Sequence, residues 1–223
     1  MDARLIGILT DSFGKMLLPG LTVTVPLTAI SFALALVIAV AVALVQYARV
    51  PVLTVLARFY IWIIRGTPLL VQLFVVFYGL PHLGVLLEPF PAAVIVFAIN
   101  TGAYDAETVR AALESVPVGQ LEAGECVGMT YGQTMRRIVL PQAMRTAFPS
   151  LSNSLISLLK DTSLASVITV TEMFVAAQRI NANVYEPLAL YIEVGAIYLL
   201  FSTVLTRLQR LGEKKLGSYE RKE

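Results

Sequence analysis

The chain has 223 residues, 57% of them hydrophobic and only 14% charged, with a formal net charge of +2 and a mean hydropathy of +0.76. A soluble domain carries about a quarter of its residues as Asp, Glu, Lys or Arg, so the solvent implied here is a bilayer. So small a net charge gives no sign of a nucleic-acid partner, and the single cysteine, Cys126, excludes an internal disulfide and a zinc site built from thiolates.

The N-terminal stretch carries Asp2, Arg4, Asp11 and Lys15. The apolar run behind it is too long for the core of a cleavable signal, so it reads as a retained first span. That span is the uncharged run Gly20 to Val45, with Pro26 near its start. A second apolar segment starts near Val52, is interrupted by Arg65-Gly66-Thr67-Pro68 and continues through Leu69 to Leu80. Glycine and proline together predict a break there. Residues 52–64 fit a position inside the membrane or along its surface. Further spans follow at Ala92 to Leu113, Thr146 to Ala177 and Pro187 to Thr206. No internal repeat appears, so residues 1–223 read as one all-α integral membrane domain with five transmembrane helices (20–45, 52–80, 92–113, 146–177 and 187–206).

Basic residues orient this bundle. Arg49 and Arg58 follow the first span, Arg110, Arg136, Arg137 and Arg145 surround the connection between spans three and four, and Arg207 to Lys222 holds six more. The loop from Pro81 to Pro91 has none, and the connection Asn181 to Glu186 has only Arg179 at its edge. The positive-inside rule then makes the basic connection and the C-terminus cytoplasmic and the N-terminus external. Arg4 and Lys15 count the other way and are outnumbered. Tyr47, Tyr60, Trp62 and Tyr78 read as interfacial anchors.

Residues 117–141 form a polar insertion that reads as two short helices. Pro117 suits a first helical turn, Gln120 to Val127 are helix formers, and Gly128 suits a left-handed stop. Thr130 with Gln133 fits a capping box. The second helix is expected to pass Arg136 and Ile138 and to stop before Leu140-Pro141, because the residue before proline avoids helical angles. Ala123, Gly124 and Gly128 are small enough to let another protein approach; on composition alone an ordinary surface loop fits as well. Cys126 reads as a small packing residue.

Glu122-Ala123-Gly124, then Gly128, then Ile138 and Leu140-Pro141 resemble the EAA loop of ABC-importer membrane subunits. Gly124 replaces the pattern's second alanine, at a cost of about 1 kcal/mol in helix propensity. The resemblance implies a type I ABC importer permease fold, with this hairpin docked in a groove of a cytoplasmic ATP-binding cassette subunit and carrying its opening and closing to the membrane. Arg65 to Phe74, Ala103-Tyr104 with Ala106-Glu107, Pro141-Gln142-Ala143 and Lys160 to Leu164 resemble the polar amino-acid branch of these permeases. Leu56 to Ile61 and Gln133 to Arg137 are most similar to L-cystine permeases. The family implies a bacterial inner membrane, an amino-acid solute, an extracytoplasmic solute-binding protein and a second permease subunit, identical or related. No G-x-x-x-x-G-K-[ST] phosphate loop occurs, so ATP hydrolysis is expected in a separate chain, and neither catalytic residues, metal nor cofactor is expected in this one.

Ionisable groups within a span cost a few kcal/mol each and mark a pathway or a paired site. Asn100, Tyr104, Glu107 and Glu114 share a stripe of span three, with Glu107 and Arg110 spaced to pair. Arg110 and Glu114 are expected to snorkel, and Asp105 faces a neighbouring helix. Asn153, Ser157, Lys160 and Asp161 share one face of span four. Thr162 or Ser163 is expected to cap a fresh helix running toward Glu172, which breaks the span. A broken helix offers N–H groups to a carboxylate and polar side chains to an ammonium. The candidate substrate pathway is therefore Asn100, Tyr104, Glu107, Asn153, Ser157, Lys160 and Asp161; the alternative for Lys160 and Asp161 is a purely structural tie. An ion-coupled secondary carrier would need the same polar spans but no docking hairpin. An intramembrane enzyme would need a convergent catalytic set, which Ser157 and Lys160 on a polar helix face do not supply. His82, alone in a loop, reads as solvated.

Overall fold

The computed structural model describes residues 3–217, so the expectations for Asp2, Arg221 and Lys222 lie outside the described residues. Among these the regular elements are all helical: α1 Ala3–Tyr47, α2 Pro51–Gly66, α3 Leu69–Leu83, α4 Pro89–Glu114, α5 Gly119–Cys126, α6 Tyr131–Ile168, α7 Met173–Val184 and α8 Pro187–Gly217. By length and composition α1 and α8 can each cross a membrane. Two more spans arise if the bent pairs α2–α3 (104°) and α6–α7 (53°) each count as one. The 26-residue α4 is long enough, but Asp105, Glu107, Arg110 and Glu114 load its C-terminal half with charge.

The contacts divide the chain into two compact units, each made of three segments. Unit 1 is Met1–Ala33, Pro68–Ala98 and Leu155–Leu208, and unit 2 is Leu34–Thr67, Ile99–Ser154 and Gln209–Glu223. Unit 1 has two apolar cores. Leu27, Leu73, Phe97, Leu158 and Ile168 belong to one, and Met16, Met173, Leu190 and Ile197 to the other. Unit 2 is packed on small residues: Ala35, Ala39 and Ala43, spaced by four, are fully buried. A Cβ on Gly102 would lie 2.9 Å from Ile38 Cγ2 and 3.3 Å from the Ala35 carbonyl. Such close backbone approach is how helices associate where lipid removes the hydrophobic drive.

Three boundaries differ from the sequence expectation. The first helix begins at Ala3 rather than Gly20, because its early turns are held by packing: Met16 is fully buried, with Ile8 and Leu17 around the same core. The last helix runs past Thr206 to Gly217. Leu140-Pro141 does not end a helix, and α6 continues through it.

A π turn explains that continuity. Proline lacks an N–H and its ring collides with the carbonyl four residues back. In α6 the turn Met135–Val139 is π-helical, and Leu140 N–H bonds to Met135 O, five residues back. The widened turn thus comes just ahead of Pro141. The same arrangement recurs at Gly20–Thr24 ahead of Pro26, where Val25 N–H bonds to Gly20 O, and at Val75–Gly79 ahead of Pro81. In each case the proline is the second residue past the turn. Pro149, inside α6, is carried without one.

The Arg65-to-Pro68 break is present: Thr67 and Pro68 are extended, with ψ of 143° and 137°.

Candidate functional site

The hairpin is built by local chemistry. Helix α5 ends in a Schellman closure: Gly128 has φ +77°, its N–H donates to Glu125 O (2.9 Å) and Met129 N–H donates to Gly124 O (3.0 Å). Only glycine takes that angle without a steric cost. Helix α6 then opens on the expected capping box: Gln133 N–H donates to Thr130 Oγ1 (3.3 Å) and Thr130 N–H to Gln133 Oε1 (2.9 Å). The two helices meet at Gly124, where an added Cβ would lie 2.6 Å from Thr134 Oγ1 and 2.7 Å from its Cγ2. The departure from Glu-Ala-Ala therefore has a partner, since Gly124 makes room for Thr134. Gln142 Nε2 donates to Gln120 Oε1 (3.3 Å), tying the second helix to the first, and to Ile138 O (3.1 Å) within the second helix.

The outer surface of the hairpin is apolar as well as charged. Glu122 and Ala123 are exposed, as are Val118, Val127 and Tyr131, at 67%, 74% and 55%. Cys126 is also exposed, which corrects its reading as a packing residue: Gly124 makes the close contact and leaves Cys126 facing outward. Ile138 and Leu140 are half-buried and Pro141 exposed.

In unit 2, Arg110 is clamped by two carboxylates, 2.8 Å from Glu107 Oε2 and 2.8 Å from Glu114 Oε1. The expected Glu107–Arg110 pair is present, while Arg110 and Glu114 bond to each other rather than simply snorkelling. Gln46 Nε2 adds a bond to Glu107 Oε1 at 3.3 Å. Asn100 is half-buried, and Tyr104, 46% exposed, lies under the Arg65 guanidinium at 5.1 Å, a cation–π contact. Asp105 is buried and faces Ser154 on α6. Asn153 Oδ1 accepts from Gln209 Nε2 (3.2 Å) on α8. Glu107, Arg110 and Glu114 also line a cavity of about 730 Å³ together with Gln46, Arg49 and Arg58.

In unit 1, Ser157, Lys160 and Asp161 are exposed, and Lys160 and Asp161 form no ion pair among those found in the described residues. The expected break follows them, but with a different cap. Thr162 and Ser163 donate backward to Leu159 O (2.6 Å) and Lys160 O (2.7 Å), in a 3-10 stretch, Thr162–Ile168, that ends with Thr169 at φ +66°. The fresh helix is capped by Glu172, whose Oε2 accepts from Phe174 N (2.8 Å) and whose Oε1 accepts from Val175 N (2.9 Å). Tyr198 Oη donates to Oε2 at 2.7 Å, and the carboxylate is fully buried. Sequence reading took Glu172 only as the far end of the helix. The signal available was a lone acid directly before the apolar run Met173-Phe174-Val175-Ala176-Ala177, since a carboxylate favours a helix N-terminus.

Two of the expected interfacial anchors also bond to backbone carbonyls. Tyr60 donates to Ile99 O (2.6 Å) and Tyr78 to Val167 O (3.1 Å). Trp62 is 70% exposed, and His82 is exposed.

Long apolar helices, a break carrying charge and a capped, exposed hairpin together define a membrane component of a transport system. Residues 35–218 match the family described as "Binding-protein-dependent transport system inner membrane component", and the chain belongs to that family. It is similar to the L-cystine transport system permease protein TcyB of Bacillus subtilis (strain 168), 46% identical over 210 residues, 94% of this chain and 90% of TcyB. It is similar also to the nopaline transport system permease protein NocM of Agrobacterium fabrum (strain C58 / ATCC 33970), 39% identical over 231 residues, 99% of this chain and 94% of NocM. Among solved structures, the crystal structure of an amino acid ABC transporter with histidines matches with a TM-score of 0.85 at 33% identity, covering 96% of this chain and 99% of that one. The inward-facing MetNI methionine ABC transporter matches at 17% identity with a TM-score of 0.74, over 97% of this chain and 99% of that one, a likeness of fold alone. The protein is thus an inner-membrane permease component with the type I ABC importer permease fold, and membership of this family sets it apart from secondary carriers.

Proposed function

We propose that this permease carries a polar amino acid, L-cystine foremost, through the bacterial inner membrane, driven by a separate cytoplasmic ATPase that grips the 117–141 hairpin. The observation that carries the reading is the hairpin itself: the short helix α5 and the head of α6, locked by a Schellman closure and a capping box, presenting exposed Glu122 and Ala123 with Val118, Val127 and Tyr131. Gly124, Gly128, Ile138, Leu140 and Pro141 support that surface from the first helix, the turn and the second helix. An exposed apolar patch rimmed by charge is the usual mark of a protein interface. L-cystine is named from TcyB, the L-cystine permease 46% identical to this chain.

An extracytoplasmic binding protein delivers the solute, and a second permease subunit, identical or related, completes the path. Residues 1–223 act as one permease domain, with the N-terminus outside and the hairpin and C-terminus in the cytoplasm. The alternation of the two units along the chain supports the single domain, since no single cut separates them. Asn100, Tyr104, Glu107, Asn153, Ser157, Lys160 and Asp161 are the residues assigned to the solute pathway. Their mixture of amide, hydroxyl, carboxylate and ammonium suits a zwitterion.

The test is uptake of labelled L-cystine by vesicles holding the assembled transporter. Uptake should cease without ATP while a proton-motive force persists, and Glu107→Gln with Asn100→Ala should lower the rate on the order of tenfold or more, the loss of one or two charge-assisted contacts. Wild-type rates in that variant with normal assembly would remove these residues from the path. Uptake driven by the proton gradient alone would remove the ATPase.

A further inference from the structure

We infer that α2 and the cavity at its foot form a binding site for an anionic phospholipid, with the headgroup phosphate between Arg49 and Arg58 and the acyl chains along α2. The cavity, about 730 Å³, is formed wholly within unit 2. Its lining holds Arg49, Arg58 and Arg110 against Glu107 and Glu114, a formal charge of +3 − 2 = +1. A phosphodiester carries one negative charge and brings that lining to neutrality.

The arginines are not equivalent. Arg110 is committed to both carboxylates at 2.8 Å. Arg49 and Arg58 enter no ion pair among those found in the described residues. Arg49 has φ +52°, a left-handed turn that few non-glycine residues adopt. It lies just before α2 begins at Pro51. Guanidinium groups suit phosphate because they offer paired N–H donors in a plane.

The shape of α2 supplies the remainder. Pro51, Thr54, Val55 and Arg58 line the cavity, and at helical spacing they are one face. The adjoining face is apolar and open: Val52, Val55, Leu56, Phe59 and Trp62 are 56–72% exposed. Val55 belongs to both faces, so the charged hollow leads directly onto a hydrocarbon track. A basic hollow joined to an exposed apolar helix matches both ends of a lipid, whereas a free phosphate needs only the first. Basic pockets beside membrane helices recognise lipid headgroups on the same physical grounds.

The experiment uses the whole transporter in nanodiscs of phosphatidylcholine containing a minority of labelled phosphatidylglycerol, and reads the label retained after exchange into detergent. Wild type should retain it, and excess inorganic phosphate should leave it in place. The double variant Arg49→Gln/Arg58→Gln should lose retention on the order of ten- to thirty-fold, as expected for two cations near a membrane surface. Arg49→Lys/Arg58→Lys should keep most of it, which separates charge from folding. Phe59→Asn should also weaken retention. Equal retention by the Gln variant, or release of the label by phosphate, would overturn the inference. Efficient cross-linking between permease copies through Trp62→Cys would do the same, by showing that protein covers this face.

Discussion

Two helix starts in this molecule solve one problem in opposite ways. At the head of α6, Thr130 and Gln133 exchange hydrogen bonds as a neutral, exposed box. At the head of α7, a fully buried carboxylate, Glu172, does the capping. The first four N–H groups of any helix lack internal partners. Where water is at hand it meets the remaining demand, and a hydroxyl suffices. Where burial excludes water, both carboxylate oxygens are needed for Phe174 N, Val175 N and Tyr198 Oη, and the helix dipole offsets part of the cost of a buried charge. The contrast shows that exposure, more than helix propensity, decides which residue type holds a helix start.

The largest effect should therefore come from Glu172→Ala. It strands two backbone donors and a phenol, each costing about 1–3 kcal/mol, for a loss of about 3 kcal/mol or more. Thermal unfolding of the purified permease should shift far downward, with Glu172→Gln between the two; an unchanged melting profile would erase the distinction drawn above. Next comes Gly124→Ala, which restores the usual Glu-Ala-Ala but drives a methyl to within 2.6 Å of Thr134 Oγ1. Overpacking of this kind costs about 1–3 kcal/mol. ATPase association should weaken, and Thr134→Ala, by removing Oγ1 and Cγ2, should restore it; a double variant as poor as the single one would show that these residues are not a matched pair. The smallest effect is expected for Thr130→Ala, about 1 kcal/mol for a lost cap. It should appear as roughly fivefold faster amide exchange in the first turn of α6, with melting hardly changed.

What could be read from the residues follows the same division. The left-handed Gly128 and the Thr130–Gln133 box were legible because their partners lie within five residues. The break at Arg65-Gly66-Thr67-Pro68 was legible because proline and glycine act on their own backbone. The early turns of α1 were not, since their stability comes from Met16 packing among Met173, Leu190 and Ile197, residues far along the chain. Glu172 was missed as a cap because Thr162 and Ser163 are the more usual capping types; here they bond backward, and a phenol from α8 completes the carboxylate's shell. The continuation through Leu140-Pro141 was missed because the rule against helix before proline assumes an α turn, and Met135–Val139 is wider than that.

Those wide turns have an effect on direction. Each holds one residue more than an ordinary turn, so beyond it the outward bearing of every side chain is set back by about 100° relative to an unbroken α-helix. In α6 this offset falls between the exposed hairpin surface near Tyr131 and the polar residues from Asn153 to Asp161. A change in that single turn would swing the whole polar face like a hand on a dial. Under the function proposed above, a push on the hairpin need not travel as a shift along the rod; the π turn is a place where it can become a twist.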